Sequence, residues 1–315
     1  MLKMIHILFT FCFLFSQESS GNNILTIIGT TNVHGEIDPC GWKKKPLGGL
    51  ARKATILEQL NNEGINPLVL DAGDLLFKKN VLDPGVTLDV SKVNAEIIID
   101  SFIEMGCDAF SPGSKDFAGG LDFILSQYKR STFPFLSCNI ANKTGELIFE
   151  PYVIIEKNNI NIGIVGLTSV FDNNEIEILD PIASLKNILK EVSNKSDIVI
   201  LLFNATQQDL TKLYNNNFEI DMILSSRGRT RSSDGGSRIP TYIAGDRGKL
   251  LYKFDLNIVD KNLPFTDLSW CENTIKRVGD RLEKMKQGDP NVDLIKLYKG
   301  DQKTLNRIYG YQSQL

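Results

Sequence analysis

Most of the residues in this chain that could do chemistry sit in polar loops that follow apolar runs. They are Thr31-Asn32-Val33-His34-Gly35, Leu70-Asp71-Ala72-Gly73-Asp74, Gly113-Ser114-Lys115-Asp116-Phe117, Asn204, and Ser225-Ser226-Arg227-Gly228-Arg229-Thr230-Arg231. Asp71, Asp74 and Asp116 together with His34 offer oxygen and imidazole donors of the kind that hold one Ca²⁺ or Mn²⁺. The ligand count is small for that role, and Lys115 with the arginines could satisfy the acids instead. Ser225 and Ser226 have no histidine base in the pattern, so a serine nucleophile is not expected. Asp38-Pro39-Cys40-Gly41-Trp42 reads as a turn, and Cys40 gives that turn a thiol open to redox chemistry or a disulfide.

The elements that must position these loops alternate. Ile24 to Gly29, Pro67 to Leu70, Cys107 to Phe110, Phe133 to Cys138, Asp197 to Phe203 and Asp221 to Ser225 read as buried strands. Between them, Leu50 to Leu60, Val93 to Met105 and Leu121 to Tyr128 have helical spacing. In the first helix Leu50, Ala54, Ile56, Leu57 and Leu60 are available for the inner face. Strand–loop–helix alternation is the mark of a layered α/β domain, which places ligands at the carboxyl ends of its strands. Two hairpins are predicted, one turning at Lys157-Asn158-Asn159 and one at Gly245-Asp246-Arg247-Gly248. Leu268 to Leu315 is charged and helical in pattern, with a break at Gly288-Asp289-Pro290.

Composition narrows the function classes. The 315 residues are 42% hydrophobic, enough for a full core, and the net charge of -3 without a basic stripe argues against a nucleic-acid partner. Lys3, the apolar run Met4 to Phe15 and the polar patch Ser16 to Asn23 have the layout of a secretory signal peptide over 1–20. No other stretch is long and apolar enough for a transmembrane span. The expected location is therefore outside the cytoplasm, periplasmic or extracellular. The five cysteines show no CxxC or zinc-finger spacing, and Cys107 and Cys138 read as buried thiols.

The order of the loop blocks and their neighbours resembles the metallophosphoesterase domain of the bacterial 5′-nucleotidase family. The neighbours are Gly48-Gly49-Leu50-Ala51-Arg52, Phe133 to Ile140, and Ile162 to Thr168, and the likeness runs from Ile24 to Val259. The resemblance implies a four-layer α/β/β/α sandwich with mixed sheets over 24–262, followed by a helical tail over 263–315. It also implies two metals bound at strand ends, which clamp a phosphate and lower the pKa of a bridging water. Against that ligand pattern, Asn32 stands in place of an Asp, Ser114 in place of an Asn, and Lys115 and Asn204 in place of His. Arg227 and Arg229, or in a shifted register Arg229 and Arg231, replace a pair of His. His34 and Asp74 match the pattern and are the residual metal candidates. The chain has two histidines, and His6 lies in the predicted leader.

These replacements exchange ligands for fixed cations, which cannot coordinate a metal while protonated. The expectation is an exported family member that is catalytically inactive and carries no cofactor. It would act by protein interaction, with the tail as a docking element, or by binding a small anion or phosphorylated ligand through Lys115, Arg227, Arg229 and Arg231. One alternative is a phosphoester (nucleotide) hydrolase with a reduced divalent-metal site at His34, Asp74 and Asp116. A second is a redox-linked partner protein using Cys40.

Overall fold

A computed structural model describes residues 24–41, 44–228, 232–233, 239–260, 263 and 265–315, apart from the side chains of 232, 233 and 270. In chain order the strands are β1 (Ile24–Thr30), β2 (Leu68–Asp71), β3 (Ala109–Phe110), β4 (Ile140–Ala141), β5 (Tyr152–Lys157), β6 (Ile160–Thr168), β7 (Glu177–Ile178), β8 (Ile198–Asn204), β9 (Met222–Ser226), β10 (Ser232–Ser233), β11 (Thr241–Ile243) and β12 (Tyr252–Asn257). The helices are α1 (Leu50–Asn62), α2 (Val86–Glu104), α3 (Leu121–Arg130), α4 (Pro181–Lys195), α5 (Gln207–Tyr214), α6 (Ser269–Met285), α7 (Leu294–Leu297) and α8 (Gln302–Gln312).

Continuous apolar runs become central strands because both of their faces are covered. One sheet has the order β12-β1-β2-β3, and a larger one β10-β11-β9-β8-β6-β5. Both mix parallel and antiparallel pairs: β1 runs parallel to β2 and antiparallel to β12, and β6 runs parallel to β8 and antiparallel to β5. Leu25, Ile27, Leu68, Leu70, Ile162, Ile164, Ile200 and Leu224 fill the space between the sheets. Outside the first sheet, Leu57 and Leu60 of α1 pack on Ile28 and Val69, and α2 and α3 bury Ile98, Phe102 and Ile124. Outside the second, α4 and α5 bury Leu185, Leu189, Leu210 and Leu213. The layers are therefore α/β/β/α. The tail helices α6 to α8 gather Leu282, Met285, Leu294, Leu305 and Ile308 into a small cluster of their own.

Three expectations are corrected. The hairpin at Lys157 to Asn159 forms, but the one at Gly245 to Gly248 does not. There β11 pairs with β9 and β12 pairs with β1, so the loop carries the chain from one sheet to the other. Phe133 to Cys138 makes isolated bridges, Phe110 to Phe135 and Leu136 to Glu150, and not a regular strand. The inner face of α1 is Leu50, Lys53, Leu57 and Leu60, with Ile56 exposed. The 3-4-3 spacing of that set is the helical period, so a lysine completes the buried stripe where Ala54 and Ile56 were expected. The predicted signal peptide over 1–20 lies outside the described residues. Among those described, no helix is long and apolar enough to cross a membrane.

Candidate functional site

The loops after β1, β2, β3, β8 and β9 meet at one end of the sheets. Asn32 and His34 after β1, Asp74 after β2 and Arg227 after β9 all have positive φ, 55°, 58°, 54° and 73°. Side chains with a Cβ reach that region at a cost, so surrounding bonds must hold them there. The backbones supply such bonds: Asn32 N–H donates to Gly73 O at 3.0 Å and His34 N–H to Asp74 O at 2.9 Å.

After β3 a single 3₁₀ turn, Ser114–Phe117, delivers Lys115 into the centre of this cluster. Its ammonium lies 2.6 Å from His34 Nε2 and 3.2 Å from Asp74 Oδ2, and its backbone N–H donates to Asp74 Oδ1 at 3.1 Å. His34 Nε2 thus faces both the Lys115 ammonium and, at 3.8 Å, Asp74 Oδ2. Its other ring nitrogen, Nδ1, lies 3.0 Å from Asp246 Oδ1. Asp74 is fully buried. Burial alone would raise its pKa, but the adjoining His34 and the Lys115 charge and N–H outweigh it and hold the carboxyl below its ordinary value.

The other expected residues are committed to the scaffold. Asp116 accepts backbone N–H groups from Asp74, Leu76 and Gly113 at 2.9, 2.7 and 2.7 Å, so both its oxygens fasten loops together. Burial, with the Asp74 charge, pushes its pKa up to about 8. Asn204 accepts the Ser114 N–H at 3.2 Å and donates to Ser226 Oγ at 2.7 Å, and Ser226 donates to Ala72 O at 2.6 Å. Asn32 donates to Gly228 O and Gly245 O, both at 2.8 Å, and accepts the Arg227 N–H at 2.8 Å. A Cβ at Gly113 would stand 2.6 Å from Asp74 Oδ1 and 2.4 Å from Asn204 Nδ2, so that position has no room for a side chain.

Lys115, His34 and Asp74 are thus brought together, with Asn32, Ser114, Asp116 and Asn204 forming their frame. Arg227 makes no ion pair with Asp74 within 4.0 Å among the described residues, and its Nη1 is buried without a hydrogen-bond partner. Arg229, Arg231 and Trp42 lie outside the described residues. Asp246 was not among the expected residues. The signal for it was present, because Gly245-Asp246-Arg247-Gly248 joins small and acidic residues at a strand end as the other loops do. Cys40 is unpaired and half-buried, with its thiol 3.8 Å from Arg247 O, and it closes a small loop by bridging to Leu47. Cys107 and Cys138 are buried, and burial pushes the Cys138 thiol up to about 12. No group of three or more His, Cys, Asp or Glu placed to hold a metal occurs among the described residues.

A four-layer sandwich with a polar cluster at its strand ends is the architecture of a metallophosphoesterase. The comparisons agree with it at two levels. A 5′-nucleotidase of Vibrio cholerae is 31% identical over 193 residues, which is 56% of this chain and 32% of that protein. Among solved structures, calcineurin-like phosphoesterase YfkN from Bacillus subtilis superposes with a TM-score of 0.57 at 19% identity, covering 83% of this chain and 98% of that one. Haemophilus influenzae NAD nucleotidase superposes with a TM-score of 0.62 at 15% identity, covering 78% and 55%. No family model matches the chain. The chain is therefore similar in sequence to 5′-nucleotidases over about half its length and shares the fold of the calcineurin-like metallophosphoesterases. It spans about a third of the length of the Vibrio relative.

Proposed function

We propose that this chain is a non-hydrolysing member of the family that binds a phosphate-like anion with fixed cations in place of metals. The observation that carries the reading is the Lys115 ammonium, set between His34 Nε2 and Asp74 Oδ2 at 2.6 and 3.2 Å. These are the two residues that match the family's ligand pattern, and the ammonium hydrogen-bonds His34 Nε2 and forms an ion pair with Asp74 Oδ2, an oxygen that has no hydrogen bond of its own. Asn32, Asp116 and Asn204 direct their remaining polar atoms to backbone and side-chain partners, so the donor set does not suit a two-ion clamp.

Arg227 supplies the free half of the site. A buried guanidinium N–H without a partner is costly, and an anion oxygen would satisfy it with a charge-assisted hydrogen bond. Asn32 ties the Arg227 backbone to the loop that carries His34. The leader-like run over Met4 to Phe15 supports export of the chain.

Titration calorimetry of the full chain with inorganic phosphate, without added metal, tests the reading. Saturable binding that weakens with salt is expected. Chelator-sensitive phosphomonoesterase turnover that Asp74→Ala abolishes would overturn it.

A further inference from the structure

Another lysine, deeper than the half-buried Lys115, points into the protein from a helix. Lys53, on the inner face of α1, is 6% exposed. Its ammonium donates to Thr30 Oγ1 at 3.1 Å and sits 3.8 Å from the centre of the Phe102 ring. Among the described residues it has no carboxylate within 4.0 Å. Asp71 lies behind Thr30, taking the Thr30 hydroxyl proton at 2.7 Å and the Gly73 N–H at 2.8 Å. One of the three Lys53 donors therefore meets a hydroxyl, and two have no hydrogen-bond acceptor of their own. Burial draws the Lys53 pKa below the ordinary lysine value, against the pull of Asp71 and Cys107.

Thr30, Lys53 and Phe102 line a cavity of about 380 Å³. Its other walls are aliphatic, chiefly Val33, Leu50, Leu250 and Leu251. The roof forms where Gly48 meets the 248–251 segment. Gly48 has φ +76°, and a Cβ there would stand 2.4 Å from Gly248 O, so only glycine lets the two loops close over the space. The charged lining is Arg52, Lys53, Lys249 and Glu36. Glu36 is already paired with Lys78 at 4.0 Å and Arg247 at 3.8 Å, which leaves the balance positive.

A half-open, mainly aliphatic pocket of this size with a few polar groups in its lining is the usual form of a small-molecule site. We propose that the cavity binds a monocarboxylic acid with an apolar body, its carboxylate accepting hydrogen bonds from the Lys53 ammonium and its body lying against the aliphatic walls. A buried ammonium without an anionic partner is the group that such a ligand completes. None of Asn32, His34, Asp74 and Lys115 lines this cavity, and the proposal does not depend on anion binding at Lys115.

Calorimetric titration of the full chain with decanoate tests the proposal, with decanol as the ligand of equal body and no charge. Saturable decanoate binding is expected, at least tenfold tighter than decanol, and Lys53→Met should abolish that preference. Circular dichroism melts show whether the variant is folded. If Lys53→Met does not fold, Leu250→Trp, which fills the cavity and keeps Lys53, should remove decanoate binding while leaving phosphate binding unchanged. The proposal is overturned by no saturable decanoate binding, by equal affinity for decanol, or by binding that survives Leu250→Trp in a folded protein.

Discussion

Lys115 and Lys53 are both carried into the interior around the first sheet, yet their surroundings differ. Lys115 arrives on a tight 3₁₀ turn and finds a buried carboxylate at 3.2 Å and an imidazole at 2.6 Å. Lys53 arrives on a long helix and finds a hydroxyl at 3.1 Å and the face of an aromatic ring. In the first place the chain supplies the charge that a buried cation needs. In the second it supplies polarity without charge, together with open space. A buried charge that the protein itself completes reads as structure, while one left incomplete beside a cavity reads as a place for something else.

The sharpest way to break this comparison is to remove both lysines in turn and compare melting temperatures. Lys115→Met leaves Asp74 buried and unneutralised, and should lower stability by about 3 kcal/mol, the scale for breaking a buried pair from one side. Lys53→Met breaks no ion pair within 4.0 Å, though it removes a charge that steadies Asp71, and it exchanges a desolvated amine for an apolar chain of similar length, so its loss of stability should be clearly the smaller of the two. Equal losses from the two variants would erase the distinction.

Arg227→Gln tests the open half of the cleft. It should weaken phosphate binding about tenfold, the worth of one charge-assisted hydrogen bond, with no change in melting temperature. A drop in stability of the kind expected for Lys115→Met would move Arg227 from ligand binding to scaffold.

Stability should also depend on pH through Asp71. Burial foremost raises its pKa to about 6 in the folded protein, against Lys53, Thr30 and the Gly73 N–H, which lower it. The unfolded carboxyl titrates near about 4. The folded state then holds its proton more tightly, so this group's stabilisation is present below about pH 4 and declines as pH rises to about 6. Lys53→Met removes a charge that restrains the shift, so the upper limit of the decline should move to higher pH. The smallest effect is expected at the exposed ion pair between Arg130 and Asp100. Asp100→Ala should cost less than about 0.5 kcal/mol in a denaturant melt.

Much of the fold was legible in the sequence, because strands covered on both faces must be written as unbroken apolar runs. Ile24 to Gly29 and Asp197 to Phe203 needed no tertiary information. The crossover at Gly245 to Gly248 was not legible. Two strands separated by a short polar loop look like a hairpin whether they pair with each other or with different sheets, and long-range pairing decides between the two. In the site, the block pattern offered two outcomes, Lys115 and the arginines neutralising Asp74 or leaving a cationic cleft for an anion, and only the contact of Lys115 with Asp74 is seen. Asp246 did not follow from the pattern, because its loop was read as a turn and its contact with His34 spans more than two hundred residues. Lys53 was passed over for the same reason that makes it informative: a charged residue at an inward helical position contradicts the apolar rule and is placed outside by any reading of periodicity alone.

The central claim is that an ammonium holds the position a divalent cation would need. Calorimetric titration of the purified full chain with manganese(II) at neutral pH tests it most directly. The account predicts no saturable manganese binding at the loops around His34 and Asp74. Two tightly bound ions per chain, lost in Asp74→Ala, would contradict it.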